Sequence, residues 1–305
     1  MLKEILEVID VLDNPRSGAK EFNALLPIGA CETSIEPYSG ELGETEFVAY
    51  RFKGSAGRSS GSNARTIGII GSLGAMRLPG DYPGINSDAD GGLVALACAL
   101  RLARMWTRNQ VLKGDVIVTT HICQAGHPEP HDPVPFVMPP LDVDEAYRRL
   151  VDPAMEAILT PETCKGNRVF NQTGFAITPP VKEGYILRPH VSLIHTMEMV
   201  TTRPALVFPI NMQDITPFGN GIHHVCGMML PAQFTKAPVV GVPLTGQVQV
   251  FAAATNVFQY SALEAAGRYC IEIATAYGIG DCHFYYEDDF SGMTKRYGSM
   301  SHLLK

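Results

Sequence analysis

Four stretches of the chain concentrate side chains that could do chemistry. The first is Asn86-Ser87-Asp88-Ala89-Asp90-Gly91-Gly92, two carboxylates ahead of an apolar helical pattern. Either aspartate could cap that helix by accepting free backbone N–H groups. The other is then available to bind a divalent metal or to anchor a substrate amine. The second runs from Thr120-His121-Ile122-Cys123 to His127, His131 and Asp132. Imidazole, thiol and carboxylate are ligand types that suit zinc or a related ion, although the spacing matches no zinc motif. Cys123, two residues from His121, is also a candidate nucleophile, against the simpler reading of a packed thiol.

The third stretch is Gln213-Asp214-Ile215-Thr216-Pro217, followed by Gly219-Asn220-Gly221-Ile222-His223-His224. It is a polar, glycine-rich loop after the apolar run Ala205–Ile210. Two adjacent histidines cannot both face one pocket from a regular element, and His223 is the one assigned to the site. In the fourth, Glu183 is a candidate acid–base group and Arg188 a carboxylate clamp, with a surface turn as the plainer explanation of both.

These residues need elements to bring them together. The run 2–12 spaces Leu2, Ile5, Leu6, Ile9 and Leu12 as a helix. Glu46–Lys53 alternates as a strand, and Arg65–Gly71 and Gly114–His121 read as buried strands flanking a helix at Gly91–Trp106. Strand, helix, strand is a βαβ unit with parallel strands and a right-handed crossover. The end of the first strand, the start of the helix and the end of the second strand then share the carboxyl edge of the sheet, where open α/β sheets bind ligands. Further strands are expected at Ala205–Ile210, Pro238–Leu244 and Cys282–Tyr286, with Pro243 marking an edge or a bulge. Helices are expected at 191–201, 259–277 and 288–297, and Glu287-Asp288-Asp289 reads as a helix start. Gly54–Asn63 reads as a flexible connection. The expected fold is a three-layer α/β domain over residues 1–305, with a mostly parallel or mixed sheet and helices on both faces.

The chain has 305 residues, is 46% hydrophobic, and carries 24 Lys+Arg against 31 Asp+Glu, a net charge of −7. That balance argues against a phosphate-tracking nucleic-acid binder. No apolar run approaches the roughly 18 residues of a membrane span, and the start carries acids where a signal peptide has a basic flank. A cytoplasmic chain with no membrane or nucleic-acid partner is expected. Seven scattered cysteines with no C-x-x-C argue against a disulfide framework and against a zinc ribbon. Met228, Met229, Leu230 and Phe234 form an apolar stretch that would suit a homo-oligomer, with a buried strand or helix as the plainer explanation.

Segments DVIVTTHIC, PHDPVPF, TCKGNR, GFAITPPVKEGYILR, FPINMQDITPFGNGIHH and YGSMSHL closely resemble the domain of unknown function 1177 family through nearly the whole chain. One departure is Gln124, where that family usually has proline after the cysteine. IGIIGSLGAM, NSDADGGLVALACALRLAR and GDVIVTTHICQ also resemble the βαβ core of di-zinc exopeptidases and their amidohydrolase relatives. In those, the first strand ends in His-x-Asp, a bridging Asp precedes the helix and a Glu pair follows the next strand. Asp88 or Asp90 matches the bridging carboxylate. The His-x-Asp position reads Ser72-Leu73-Gly74, and the Glu pair is missing, with His121 and Cys123 nearby.

The resemblance implies a hydrolase of small amide or peptide-like substrates that uses a metal-activated water, with zinc as the expected divalent ion. Asp88, His121, His131 and Asp132 are the expected ligands, and Glu183 or Asp214 the proton shuttle. Asp90, Arg188, Asn220 and His223 are expected to contact a small-molecule or short-peptide substrate. Two rivals stand beside it: a metal-free hydrolase built on Cys123 and His121, and a non-catalytic ligand-binding or assembly protein on a decayed peptidase scaffold.

Overall fold

A computed structural model describes residues 1–78, 84–130, 136–164, 166–215, 227–248 and 256–305. The amino-terminal helices α1 (Leu2–Leu12) and α2 (Ala19–Asn23) lead into the antiparallel hairpin β1 (Glu32–Gly40) and β2 (Gly43–Phe52). The βαβ unit follows as β3 (Ile67–Ile70), α3 (Asp90–Trp106) and β4 (Val116–Ile122). Its strands are parallel, with Ile67 opposite Val116, as the run of elements requires. Beyond it come a small hairpin, β5 (His127–Glu129) with β6 (Phe136–Met138), then α4 (Val143–Leu150) and β7 (Ala157–Cys164). The last part holds β8 (Gly174–Phe175), β9 (Val181–Lys182), β10 (Tyr185–Ile186), α5 (Val191–Thr201), β11 (Val239–Thr245), α6 (Tyr260–Ile279) and α7 (Glu287–Tyr297).

The main sheet runs β1-β2-β4-β3-β7-β11-β9-β10, and β8 also pairs with β11. Strands β4, β3, β7 and β11 are parallel, while β2, β8 and β9 are antiparallel to their neighbours in that set. The parallel strands are the apolar ones: every residue of β3, β4 and β11 is buried. Both faces must therefore be covered. Ile67, Ile69, Val116, Val118 and Leu159 face a layer made by α1, α3, α5 and α6. Ile70, Ile117, Ile158 and Val239 face the other way, against Tyr147 and Leu150 of α4 and against Phe208, Met228 and Leu230. The fold is thus a three-layer α/β sandwich with a mixed sheet. One outer layer is helical, with α2 packed beside α1; the other is α4 with short turns and irregular chain.

Several expected elements take a different form. Ala205–Ile210 makes a single bridge, Val207 to Ile177, where a strand was expected. Pro204 and Pro209 bracket the segment and remove two backbone donors. Cys282–Tyr286 contributes only the bridge Tyr285–Pro189. Pro243 lies inside the sheet and not at its edge. Its carbonyl accepts from Ala176 N at 2.9 Å, so its missing N–H faces the short β8 side and leaves the β7 ladder intact. Met228, Met229 and Leu230 are buried in the second core, with Phe234 half-buried against it.

The glycine- and serine-rich connection is pinned and not loose. Asp115 accepts hydrogen bonds from Gly54 N at 2.7 Å, Ser59 N at 2.7 Å and the Ser59 hydroxyl at 2.8 Å. Among the described residues, no helix is long and apolar enough to cross a membrane.

Candidate active site

The carboxyl ends of β3 and β7 and the start of α3 meet at one place. A Cβ at Gly91 would overlap the carbonyl oxygens of Ser72 and Pro161. Only glycine lets the first turn of α3 wedge between those two strand ends. The chain just before α3 is fixed by Asn86. Its Oδ1 accepts from Asp88 N at 2.7 Å and its Nδ2 donates to Ala75 O at 2.9 Å. Thr163 on β7 donates to Ser87 O at 2.9 Å. The capping role expected of an aspartate thus belongs to Asn86, and the cap of α3 itself, Ala89, has no side-chain bond. Asp88 projects toward Gly74, its Oδ2 lying 2.9 Å from where a Cβ there would stand. Asp90 is fully buried in the first helical turn, where the helix dipole favours an acid.

Across from this segment stands Glu162 on β7, the residue that sequence reasoning missed. Burial pushes its carboxyl up to about 8; the negative charge of Asp88, and then that of Asp214, push the same way, while the Ser72 hydroxyl partly offsets them. Like charges close to one another favour the protonated form. Glu162 keeps some surface toward solvent, but its Oε2 is sealed and has no hydrogen-bond partner among the described residues. Asp214 is fully buried in a short turn, Met212–Ile215, and its Oδ2 accepts from Asn211 N at 3.1 Å. The Tyr147 hydroxyl, from α4, meets the Ser72 hydroxyl at 2.5 Å. Asp88, Glu162 and Asp214 are therefore gathered by elements far apart in the chain, with Ser72 and Tyr147 beside them.

His121 is placed differently from the expectation. It is buried, its Nε2 donates to Leu73 O at 2.9 Å, and its Nδ1 pairs with the Thr45 hydroxyl at 3.0 Å. A carbonyl can only accept, so Nε2 carries the proton and Nδ1 accepts from Thr45. Both nitrogens are committed to the protein, which corrects the reading of His121 as a metal ligand. Burial holds its pKa down at about 4, so the ring is neutral.

Cys123 lies just past the end of β4 and is fully buried, with its thiol against Ala125 O at 3.2 Å. Burial pushes that thiol up to about 11. A buried, protonated thiol is a poor nucleophile, and Thr45 intervenes between it and His121. This corrects the Cys–His alternative.

Glu183 and Arg188 sit at the opposite edge. Val181 of β9 registers with Val239, the first residue of β11, and β9 runs antiparallel. Glu183 therefore lies beyond the amino end of the sheet, whereas Glu162 registers with Pro243 near the carboxyl end. Glu183 pairs with Lys182 at 3.0 Å, and Arg188 pairs with Asp289 at 3.1 Å and stacks on Tyr286 at 4.0 Å. The expectation that these two share a pocket with Asp88 is corrected by the register. His131, Asp132, Asn220 and His223 lie outside the described residues. Among the described residues, no group of three or more His, Cys, Asp or Glu side chains is arranged to hold a metal ion.

The fold is shared with a solved structure. Leucyl aminopeptidase from Leishmania major, solved with actinonin, matches with a TM-score of 0.50 at 10% identity, over 89% of this chain and 60% of that one. This chain thus spans less than two thirds of the aminopeptidase's length. LapA from Legionella matches with a TM-score of 0.49 at 10% identity, over 92% of this chain and 74% of that one. No curated protein matches in sequence. A family model, "Protein of unknown function (DUF1177)", matches residues 36–305. The chain belongs to the DUF1177 family.

Proposed function

We propose that the carboxyl edge is a hydrolytic site for small amide or short-peptide substrates, assisted by a divalent cation. The observation that carries this reading is the electrostatic coupling of Glu162 to Asp88 and Asp214 beside a Glu162 Oε2 that has no hydrogen-bond partner among the described residues. Acidic oxygens pressed together are costly unless protons or a cation offset them. A divalent ion fits that charge, and carboxylate oxygens serve Zn²⁺, Mn²⁺ and Mg²⁺ alike. Zinc stays the expected ion, to be tested against the other two.

Asp88 and Asp214 would hold the cation, which when bound supplies an acidified water and polarises a carbonyl. Glu162 does the proton work. Burial and the charges of Asp88 and Asp214 raise this carboxyl, and a cation that offsets those charges would bring it back toward neutrality, where it can accept a proton from the attacking water and return it to the leaving amine. Ser72 hydrogen-bonds Glu162, and Tyr147 orients Ser72. Asp90, fully buried in the first turn of α3, is the second acid at this helix start and the candidate to favour a substrate carrying a free amine. A binding protein that never turns over is the second reading, favoured by the lack of a three-ligand group among the described residues.

The test combines metal analysis of the purified chain with hydrolysis of a dipeptide and aminoacyl-anilide panel, with and without added Zn²⁺, Mn²⁺ or Mg²⁺. Asp88→Ala should lose cation affinity, and Glu162→Gln should retain the cation while losing at least a hundredfold in kcat. Cation binding with no turnover of any substrate favours the second reading. No cation binding by the wild-type chain removes the first.

A further inference from the structure

We infer that the amino edge of the sheet carries a second binding site, for a small organic anion with a flat apolar body. A cleft of about 610 Å³ opens there, between the starts of β7 and β11 and the segment leading to α7. That volume lies within the range of small-molecule sites. It is remote from the candidate active site: Glu156 lines the cleft and Glu162 lies six residues on along β7, roughly 20 Å away at strand spacing.

The charges of the cleft decide its ligand. One of its two carboxylates is matched by a cation. Glu156 takes the Arg58 guanidinium at 2.6 and 2.7 Å and also Thr66 N at 2.8 Å. Glu287 accepts a hydrogen bond from the Tyr285 hydroxyl and keeps its charge. Of the three cations, Lys182 is matched by Glu183 at 3.0 Å. Arg65 and Lys236 are in no ion pair among the described residues. Arg65 gives one N–H group to Cys282 O at 3.1 Å and lies flat on the Tyr277 ring at 4.1 Å. A stacked guanidinium is held in place with donors left over, the arrangement that recognises a carboxylate or phosphate. Lys236 is exposed on the cleft wall. Phe234 and Met155 add apolar surface to the lining. Across the lining, Arg65, Lys182 and Lys236 stand against Glu156 and Glu287, a balance of one positive charge, and the walls are partly aromatic and apolar, which favours an anion with a planar body over a cation or a sugar.

The experiment is calorimetric titration of the full chain with 2-naphthoate, 2-naphthylmethylamine and inorganic phosphate. Saturable binding of 2-naphthoate is expected, with the amine and phosphate at least tenfold weaker. Lys236→Glu, a change on an exposed residue, should weaken 2-naphthoate at least tenfold, and Glu162→Gln should leave its affinity unchanged. Failure of 2-naphthoate to saturate, equal binding of the amine, equal binding of phosphate alone, or indifference to Lys236→Glu each overturns the inference. Loss of binding in Glu162→Gln also overturns it, by moving the ligand to the other edge.

Discussion

The phenol of Tyr147 lies 2.5 Å from the hydroxyl of Ser72, so a helix on one face of the sheet is tied to the end of its central strand β3. Ser72 has one proton, and when it donates to Glu162 it must accept from Tyr147. Tyr147→Phe removes that donor and should cost about 1 kcal/mol, roughly a 2 °C fall in Tm for a chain of this size. Ser72→Ala should raise the Glu162 titration point further, since the hydroxyl is what favours the charged form. Carbon-13 NMR of the glutamate side chains reads this directly, and an unmoved Glu162 resonance in Ser72→Ala would refute the linkage.

Glu162 makes stability depend on pH. Its carboxyl sits at about 8 in the folded chain against an ordinary 4.5, so the native state holds a proton that the unfolded state releases. Stability should therefore fall as pH rises from about 4.5 to about 8, with a slope approaching about 1.4 kcal/mol per pH unit in cation-free buffer. Glu162→Gln should flatten that window, and a divalent cation should restore wild-type stability at pH 8. Urea melts at pH 5, 6.5 and 8 decide it; an unchanged slope in the variant would count against the charge cluster.

His121 works in the opposite direction. Its folded pKa of about 4 lies below the ordinary 6.5, so its stabilising contribution is present above 6.5 and lost as pH falls toward 4. His121→Ala strands Thr45 and the Leu73 carbonyl and should cost about 2–4 kcal/mol. Its divalent-cation affinity should match wild type. A large loss of affinity in a folded His121→Ala chain would return the residue to the metal site.

Cys123 should be inert. With its thiol pushed up to about 11 and no exposed surface, it should resist iodoacetamide at pH 7.5 in the native chain and react on denaturation. Peptide mass spectrometry after alkylation tests this, and Cys123→Ala should keep any activity the wild type shows.

Gly91→Ala should be severe. The new methyl group would strike two backbone carbonyls that cannot rotate away, those of Ser72 and Pro161. A loss of at least about 3 kcal/mol is expected, together with displacement of Asp88. A thermal melt within 2 °C of wild type would mean that the helix start is less tightly wedged than the geometry implies.

The βαβ core was readable because its strands are short β-branched runs and α3 has a wide apolar stripe. Its parallel pairing then placed the carboxyl edge before any coordinates. The strand β7 was not readable: Ala-Ile-Leu-Thr-Pro-Glu-Thr-Cys mixes polar residues with a proline and shows no alternation. It nevertheless sits between β3 and β11, where both neighbours complete its ladder. Missing the strand meant missing Glu162. His121 and Cys123 misled for the converse reason. Their residue types suggest chemistry, but burial and carbonyl partners consume both, and nothing in local sequence reports a partner such as Thr45 or Leu73. Glu183 and Arg188 were separated from Asp88 by the direction of β9, which depends on tertiary pairing.

Asp115 turns the segment Gly54–Ser60 into a seam of the fold. A protein engineer choosing by composition would open the chain there, to insert a tag, split the protein or admit a protease. Such a cut would strand a carboxylate that is only 6% exposed and release the start of β4 with it. The tolerant place is the hairpin tip Gly40-Glu41-Leu42-Gly43, whose two central residues face solvent.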